Sequence, residues 1–144
     1  MYQELLDQST ILEEPESFCA KSKKILFVDN DIASYYLANE LLKEYEIEVI
    51  HAECGFSAIR LFVENTFVDA VITELKVPRL DGFGLLKEFK SLNSNVPVIV
   101  QTACEYTGMK QTCLDAGFDG YIPKPLDFGI FIEIVHKHII QIKE

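Results

Sequence analysis

Four short stretches of this 144-residue chain place polar, ionisable groups directly after apolar runs. Asp29-Asn30-Asp31 follows Ile25–Val28, and Thr73-Glu74-Leu75-Lys76 follows Ala70-Val71-Ile72. Gln101-Thr102-Ala103 follows Val98-Ile99-Val100, and Pro123-Lys124-Pro125 follows Tyr121-Ile122. Brought together, these groups would line a pocket with carboxylates, one hydroxyl and one lysine. Any one of them alone reads as an ordinary polar loop residue. Four in succession, each at the end of an apolar run, read as a site. The Asp29-Asn30-Asp31 cluster would repel a phosphate unless a metal were bound. It is not the Ser/Thr/Gly-rich loop that cradles phosphate directly.

The elements that must position these groups follow from hydrophobic patterning. Short, continuously apolar runs such as Ile25-Leu26-Phe27-Val28 suit strands covered on both faces. Further strands are read at 47–50, 70–72, 98–100 and 121–122. Between them lie helical patterns over 32–45, 56–63, from Leu85, over 106–116 and from Asp127 to about Lys143. Asp81-Gly82 marks a turn, and Gly117 ends the fourth helix. Five strands alternating with five helices specify an α/β fold, a doubly wound parallel sheet with helices on both faces. Ligands of such folds bind beyond the carboxyl ends of the strands, where the four polar stretches fall.

Composition narrows the function classes. The length is that of one domain, and an apolar content of 49% is enough for a core. Residues 1–20 read as an acidic N-terminal extension, partly ordered at best, ahead of a domain over 21–144. The formal net charge is −10, and Glu4, Asp7, Glu13, Glu14 and Glu16 contribute half of it with no Lys or Arg in residues 1–20. An acidic surface disfavours direct nucleic-acid binding. No apolar run is long enough for a membrane span, and no secretory signal is evident, so a cytoplasmic location is expected. Cys19, Cys54, Cys104 and Cys113 form no CxxC pair and match no zinc spacing, so free thiols are expected.

The ordered motifs resemble the receiver domain of two-component response regulators, the CheY-like family. KKILFVDND looks like the opening strand ending in paired acids. DAVITELKVPRLDG looks like the segment that carries the phosphorylated aspartate. VPVIVQTA looks like the strand ending in the switch hydroxyl, and AGFDGYIPKPLD like the closing Lys-Pro stretch. The resemblance spans about residues 23–141. It implies a flavodoxin-like sheet of order 2-1-3-4-5 and no enzyme activity. In this family an aspartate accepts a phosphoryl group with the help of Mg²⁺, and a lysine and a hydroxyl grip the phosphoryl oxygens. Carried over, Thr102 and Tyr121 are the switch pair and Lys124 is the lysine. Ala103 leaves room for a phosphodonor. Pro125 is implied to follow a cis bond that would aim Lys124 into the pocket.

The chain departs from the family where the chemistry is done. The phosphoacceptor position holds Glu74. Its extra methylene displaces the carboxylate, and a misplacement of about 1 Å costs roughly a hundredfold in rate. The longer arm implies a Glu74–Lys124 ion pair. Of the implied metal ligands, Asp29 is kept, Asn30 replaces an acid, Glu74 replaces Asp, and Lys76, which offers its backbone carbonyl, adds a cation. Mg²⁺ binding is therefore expected to be weak. Asp31 is read as a helix cap rather than a substitute ligand.

The expected function is a stand-alone receiver-like module of a phosphorelay, signalling by contact with a histidine kinase or effector without regular phosphorylation. The alternative is a working phosphoacceptor using Glu74 or a neighbouring acid with Mg²⁺. A flavodoxin-like nucleotide-binding protein is the remote alternative. In the last helix Phe128, Phe131, Ile134, Val135 and Ile139 read as the buried stripe, which turns Ile130, Ile132 and Ile140 toward other faces and suggests a homodimer or effector contact through the fourth helix, fifth strand and fifth helix. Residues 1–20 folded back over that surface are the other account of it.

Overall fold

The computed structural model describes residues 23–65, 67–103 and 107–140. The acidic extension, Cys19, Cys104, Tyr106 and the last four residues lie outside them. Five parallel strands alternate with five helices. These are β1 (Lys23–Val28), α1 (Ile32–Lys43), β2 (Ile47–Ala52), α2 (Gly55–Glu64), β3 (Ala70–Thr73) and α3 (Gly82–Leu92). They continue with β4 (Val98–Thr102), α4 (Met109–Ala116), β5 (Gly120–Pro123) and α5 (Phe128–Val135). A π-helical turn, His136–Ile140, extends α5.

The strand order is β2-β1-β3-β4-β5, the expected 2-1-3-4-5. The chain winds outward in one direction from β1 to β2, then reverses to β3. That reversal opens a crevice at the carboxyl ends of β1 and β3.

Alternation along β1 sorts the core into two layers. Leu26 and Val28 face α2, α3 and α4, packing with Val71, Leu85, Phe89 and Val100. Ile25 and Phe27 face α1 and α5, packing with Leu42, Ile72, Ile99, Phe131 and Val135. β1, β3 and β4 are covered on both sides, which explains their unbroken apolar runs.

Aspartate side chains cap the starts of α1, α3 and α5. Asp31 Oδ1 accepts from Ala33 N at 3.1 Å, and its Oδ2 accepts from Ser34 Oγ at 3.0 Å. Asp81 caps α3 through Gly84 N, and Asp127 caps α5 through Ile130 N. Gly117 closes α4 at φ +117°, a conformation that a Cβ would strain.

The last helix differs from its sequence reading. Phe131, Val135 and Ile139 are buried, but Phe128, assigned to the buried stripe, is 57% exposed. It stands one residue past the Asp127 cap, before the helix meets the sheet. Ile130, Ile132 and Ile140 are half-buried rather than turned out, and Ile132 and Ile140 pack on the α1/α5 layer. Half of the large apolar side chains exposed among the described residues stand on α1 and α2, namely Ile32, Tyr36, Leu37, Phe56 and Val63.

Phe89→Ala should cost about 3–5 kcal/mol of stability, because a fully buried ring is lost and a cavity is left. Phe128→Ala should cost less than about 0.5 kcal/mol. Urea denaturation of the two variants beside the natural chain checks both values.

Candidate functional site

Each strand of the crevice delivers its polar residue on schedule. Asp29 follows β1, its amide donating to Ala52 O of β2. Glu74 follows β3, its amide donating to Val28 O of β1. Lys124 follows β5, its amide donating to Thr102 O of β4. Backbone hydrogen bonds of the sheet thus carry on one residue past the strands and fix the three charged groups relative to one another.

Lys124 Nζ lies 2.7 Å from Asp29 Oδ2 and 3.0 Å from Glu74 Oε1. The other oxygen of each carboxylate is also committed. Asp29 Oδ1 accepts from Asp31 N at 2.9 Å, and Glu74 Oε2 accepts from Leu75 N at 2.7 Å. Asp29 is 2% exposed, so this is a charge triad largely withdrawn from water. Burial by itself lowers the Lys124 pKa. The hydrogen bonds and charges of Asp29 and Glu74 outweigh it, and the ammonium is held above its ordinary range.

The open crevice is about 270 Å³ and is lined by Asp29, Asn30, Asp31 and Glu74 together with Lys76, Thr102, Ala103 and Lys124. These are the residues singled out from sequence, with one exception. Tyr121 does not line the crevice. It is half-buried on β5 opposite Val100, at the edge of the α2/α3/α4 layer. Thr102 is buried at the end of β4. The Lys124–Pro125 peptide is cis. Asp31 is used as a cap through both of its oxygens.

Several features went unread in the sequence. The Asp29–Lys124 contact is one, since the sequence pairs the lysine with Glu74 alone. Gly82 is another. A Cβ there would come within 2.8 Å of Glu74 O and 2.9 Å of Leu75 Cα, so only glycine lets α3 begin against the Glu74 turn. The Asp81-Gly82 dipeptide signalled a turn but not this approach. His51 Nε2 donates to the Asp29 carbonyl at 2.8 Å, and Tyr35 stacks on the imidazole at 4.3 Å. No spacing in the sequence announces that pair.

The donor set fits a divalent cation poorly. Among the described residues no group of three or more His, Cys, Asp or Glu side chains is arranged to hold a metal. Asn30 contributes no charge, Lys76 brings a cation to the rim, and the Lys124 ammonium already contacts both carboxylates.

Comparison with known proteins agrees with this architecture. Residues 25–136 match the response regulator receiver domain family. The transcriptional regulatory protein ZraR of Salmonella typhimurium is 32% identical over 120 residues, 83% of this chain and 27% of ZraR. A response regulator receiver domain from Clostridium thermocellum superposes with a TM-score of 0.76 at 27% identity, covering 84% of this chain and 97% of that one. The receiver domain of the sensor histidine kinase PA1611 from Pseudomonas aeruginosa, solved with a magnesium ion in its active-site cleft, superposes at 0.73 with 25% identity, covering 84% of this chain and all of that one. The chain belongs to the response regulator receiver domain family of two-component systems. Receiver domains are generally signalling modules rather than enzymes, and they work through histidine kinases and effectors. Among the described residues no helix is long and apolar enough to cross a membrane.

Lys124→Met should destabilise the chain at neutral pH by about 3 kcal/mol, since it leaves two inward carboxylates facing each other with no cation. The folded pKa of Lys124 is raised, so its contribution is fully present below the unfolded value of 10.5 and fades as pH climbs through the folded value. Urea midpoints of both proteins from neutral to strongly alkaline pH should therefore differ by a constant amount at first and then converge.

Proposed function

We propose that this chain is a receiver module that signals by protein contact without regular phosphorylation. The observation that carries the reading is the Lys124 ammonium bridging Asp29 and Glu74 at 2.7 and 3.0 Å. A receiver that accepts phosphoryl groups needs a free carboxylate oxygen aimed at the donor and a divalent cation beside it. Here Glu74 has one oxygen on Leu75 N and the other on Lys124. The groups that would hold Mg²⁺ are Asp29, Asn30, Glu74 and the Lys76 carbonyl. The ion would supply charge neutralisation for phosphoryl oxygens. Their charge count supports weak binding at most.

Output on this reading is a docking event with a histidine kinase or an effector. The α4–β5–α5 face, with Phe128 exposed at its rim, is the surface proposed for it. The competing account, a working phosphoacceptor, draws on Thr102, Ala103 and Lys124, which line the crevice and suit a phosphoryl group.

Intact mass spectrometry after incubation with Mg²⁺ and a small acyl phosphate separates the two. The natural chain should show no phosphoryl adduct. The Glu74→Asp, Asn30→Asp double variant, with its shorter arm and restored acid pair, should acquire one that Mg²⁺ chelation abolishes. An adduct on the natural chain would overturn the proposal in favour of a working switch.

A further inference from the structure

Among the described residues no helix or strand packs over the outward face of α2. Its inward face buries Gly55, Ala58 and Phe62. Phe56, Arg60, Val63 and Glu64 share an outward arc of about 100°, at 100° per residue. Phe56 is 59% and Val63 53% exposed, and Phe67, just past the helix, is 84% exposed. Apolar groups this open cost free energy in water and recur at interfaces. The 4-3 spacing of 56, 60 and 63 is that of a helix–helix seam. Beside the stripe runs a groove of about 530 Å³ lined by Phe56, Ile59, Arg60, Leu80 and Glu88. The Arg79 guanidinium lies 5.3 Å from the Phe56 ring centroid and holds that ring at the groove's rim.

We propose that the occupant is a second copy of this chain, with the two α2 helices packed antiparallel about a two-fold axis midway between Arg60 and Glu64. The argument is self-complementarity. In an antiparallel pair with that axis, Arg60 of each copy meets Glu64 of the other. Val63 falls beside the axis, and Phe67 of each copy reaches the level of the other's Phe56 and its groove. A two-fold interface demands this arrangement, each group opposite its own complement. Within one chain Arg60 and Glu64 are 3.6 Å apart with side chains 62% and 56% exposed, a surface pair of little intrinsic worth that can exchange partners. The acidic residues 1–20 make a poorer occupant. Their five carboxylates would meet Glu64 and Glu88 as well as Arg60. The surface is distinct from the α4–β5–α5 face and independent of the chemistry of the crevice.

Sedimentation of the full chain across the micromolar range, at about 0.15 M salt to screen its net negative charge, tests the proposal. A monomer–dimer equilibrium is expected. Val63→Asp, Arg60→Glu and Glu64→Arg should each weaken it about tenfold or more, since each sets like charges or a bare charge in the seam. All three positions are exposed, so circular dichroism should show an unchanged fold. Mixing the Arg60→Glu chain with the Glu64→Arg chain should restore association as a heterodimer, in which both cross pairs are complementary. A chain that stays monomeric throughout overturns the proposal and leaves α2 to residues 1–20 or to another protein. A dimer indifferent to these substitutions, or a mixture no more associated than its components, overturns it equally.

Discussion

One ammonium group joins the carboxyl ends of three strands. Lys124 reaches from the end of β5, past β4, to acids at the ends of β1 and β3. Withdrawing one cation and two anions from water is costly, and a contact near 3 Å is worth only on the order of 5 kcal/mol at an effective dielectric constant of about 20. The triad also leaves one negative charge in excess. That excess is met by backbone amides, Asp31 N on Asp29 and Leu75 N on Glu74, each belonging to the turn that follows its strand. The turns and the charges therefore specify one another. Each carboxylate is held to the lysine by one oxygen and to a turn amide by the other.

The scaffold makes this possible because its order reverses between β1 and β3. In a parallel sheet every strand ends on the same side, and the reversal withdraws the following helices from the middle of that edge. α1 starts late, behind the Asp31 cap, and α3 starts only at Gly82, where the missing side chain lets the helix meet the Glu74 backbone. His51 reaches from β2 to the Asp29 carbonyl, so the first acid is braced from its outer side too.

What could be read in the sequence was what short periodicities encode. The apolar runs of β1, β3 and β4 reported strands buried on both faces, and the polar residue after each run reported the crevice. The Glu74–Lys124 contact was legible because a longer side chain shifts its charge in a definite direction. The Asp29–Lys124 contact was not, because it joins residues 95 apart through the sheet's twist and spacing rather than through any local pattern. The last helix failed for a related reason. Its isoleucines are apolar on every side, so helical period alone could not say which of them the α1 layer would half-cover or that Phe128 would be left out.

Shape and chemistry are separable in this fold because they rest on different atoms. The two apolar layers that hold the sheet contain neither Asn30 nor Glu74 nor Lys76. Altering those positions changes which charges face the crevice without opening the core. On the proposed reading, neutralisation then rests on a tethered cation rather than a dissociable one. A solution cation leaves when its concentration falls, whereas Lys124 is bound to its site by the chain, and its raised pKa keeps it charged through neutral pH and beyond. On the proposed reading, the charge state of the crevice no longer follows Mg²⁺ or phosphoryl donors. What remains to vary in the signal is then the presence of a protein partner on the surface.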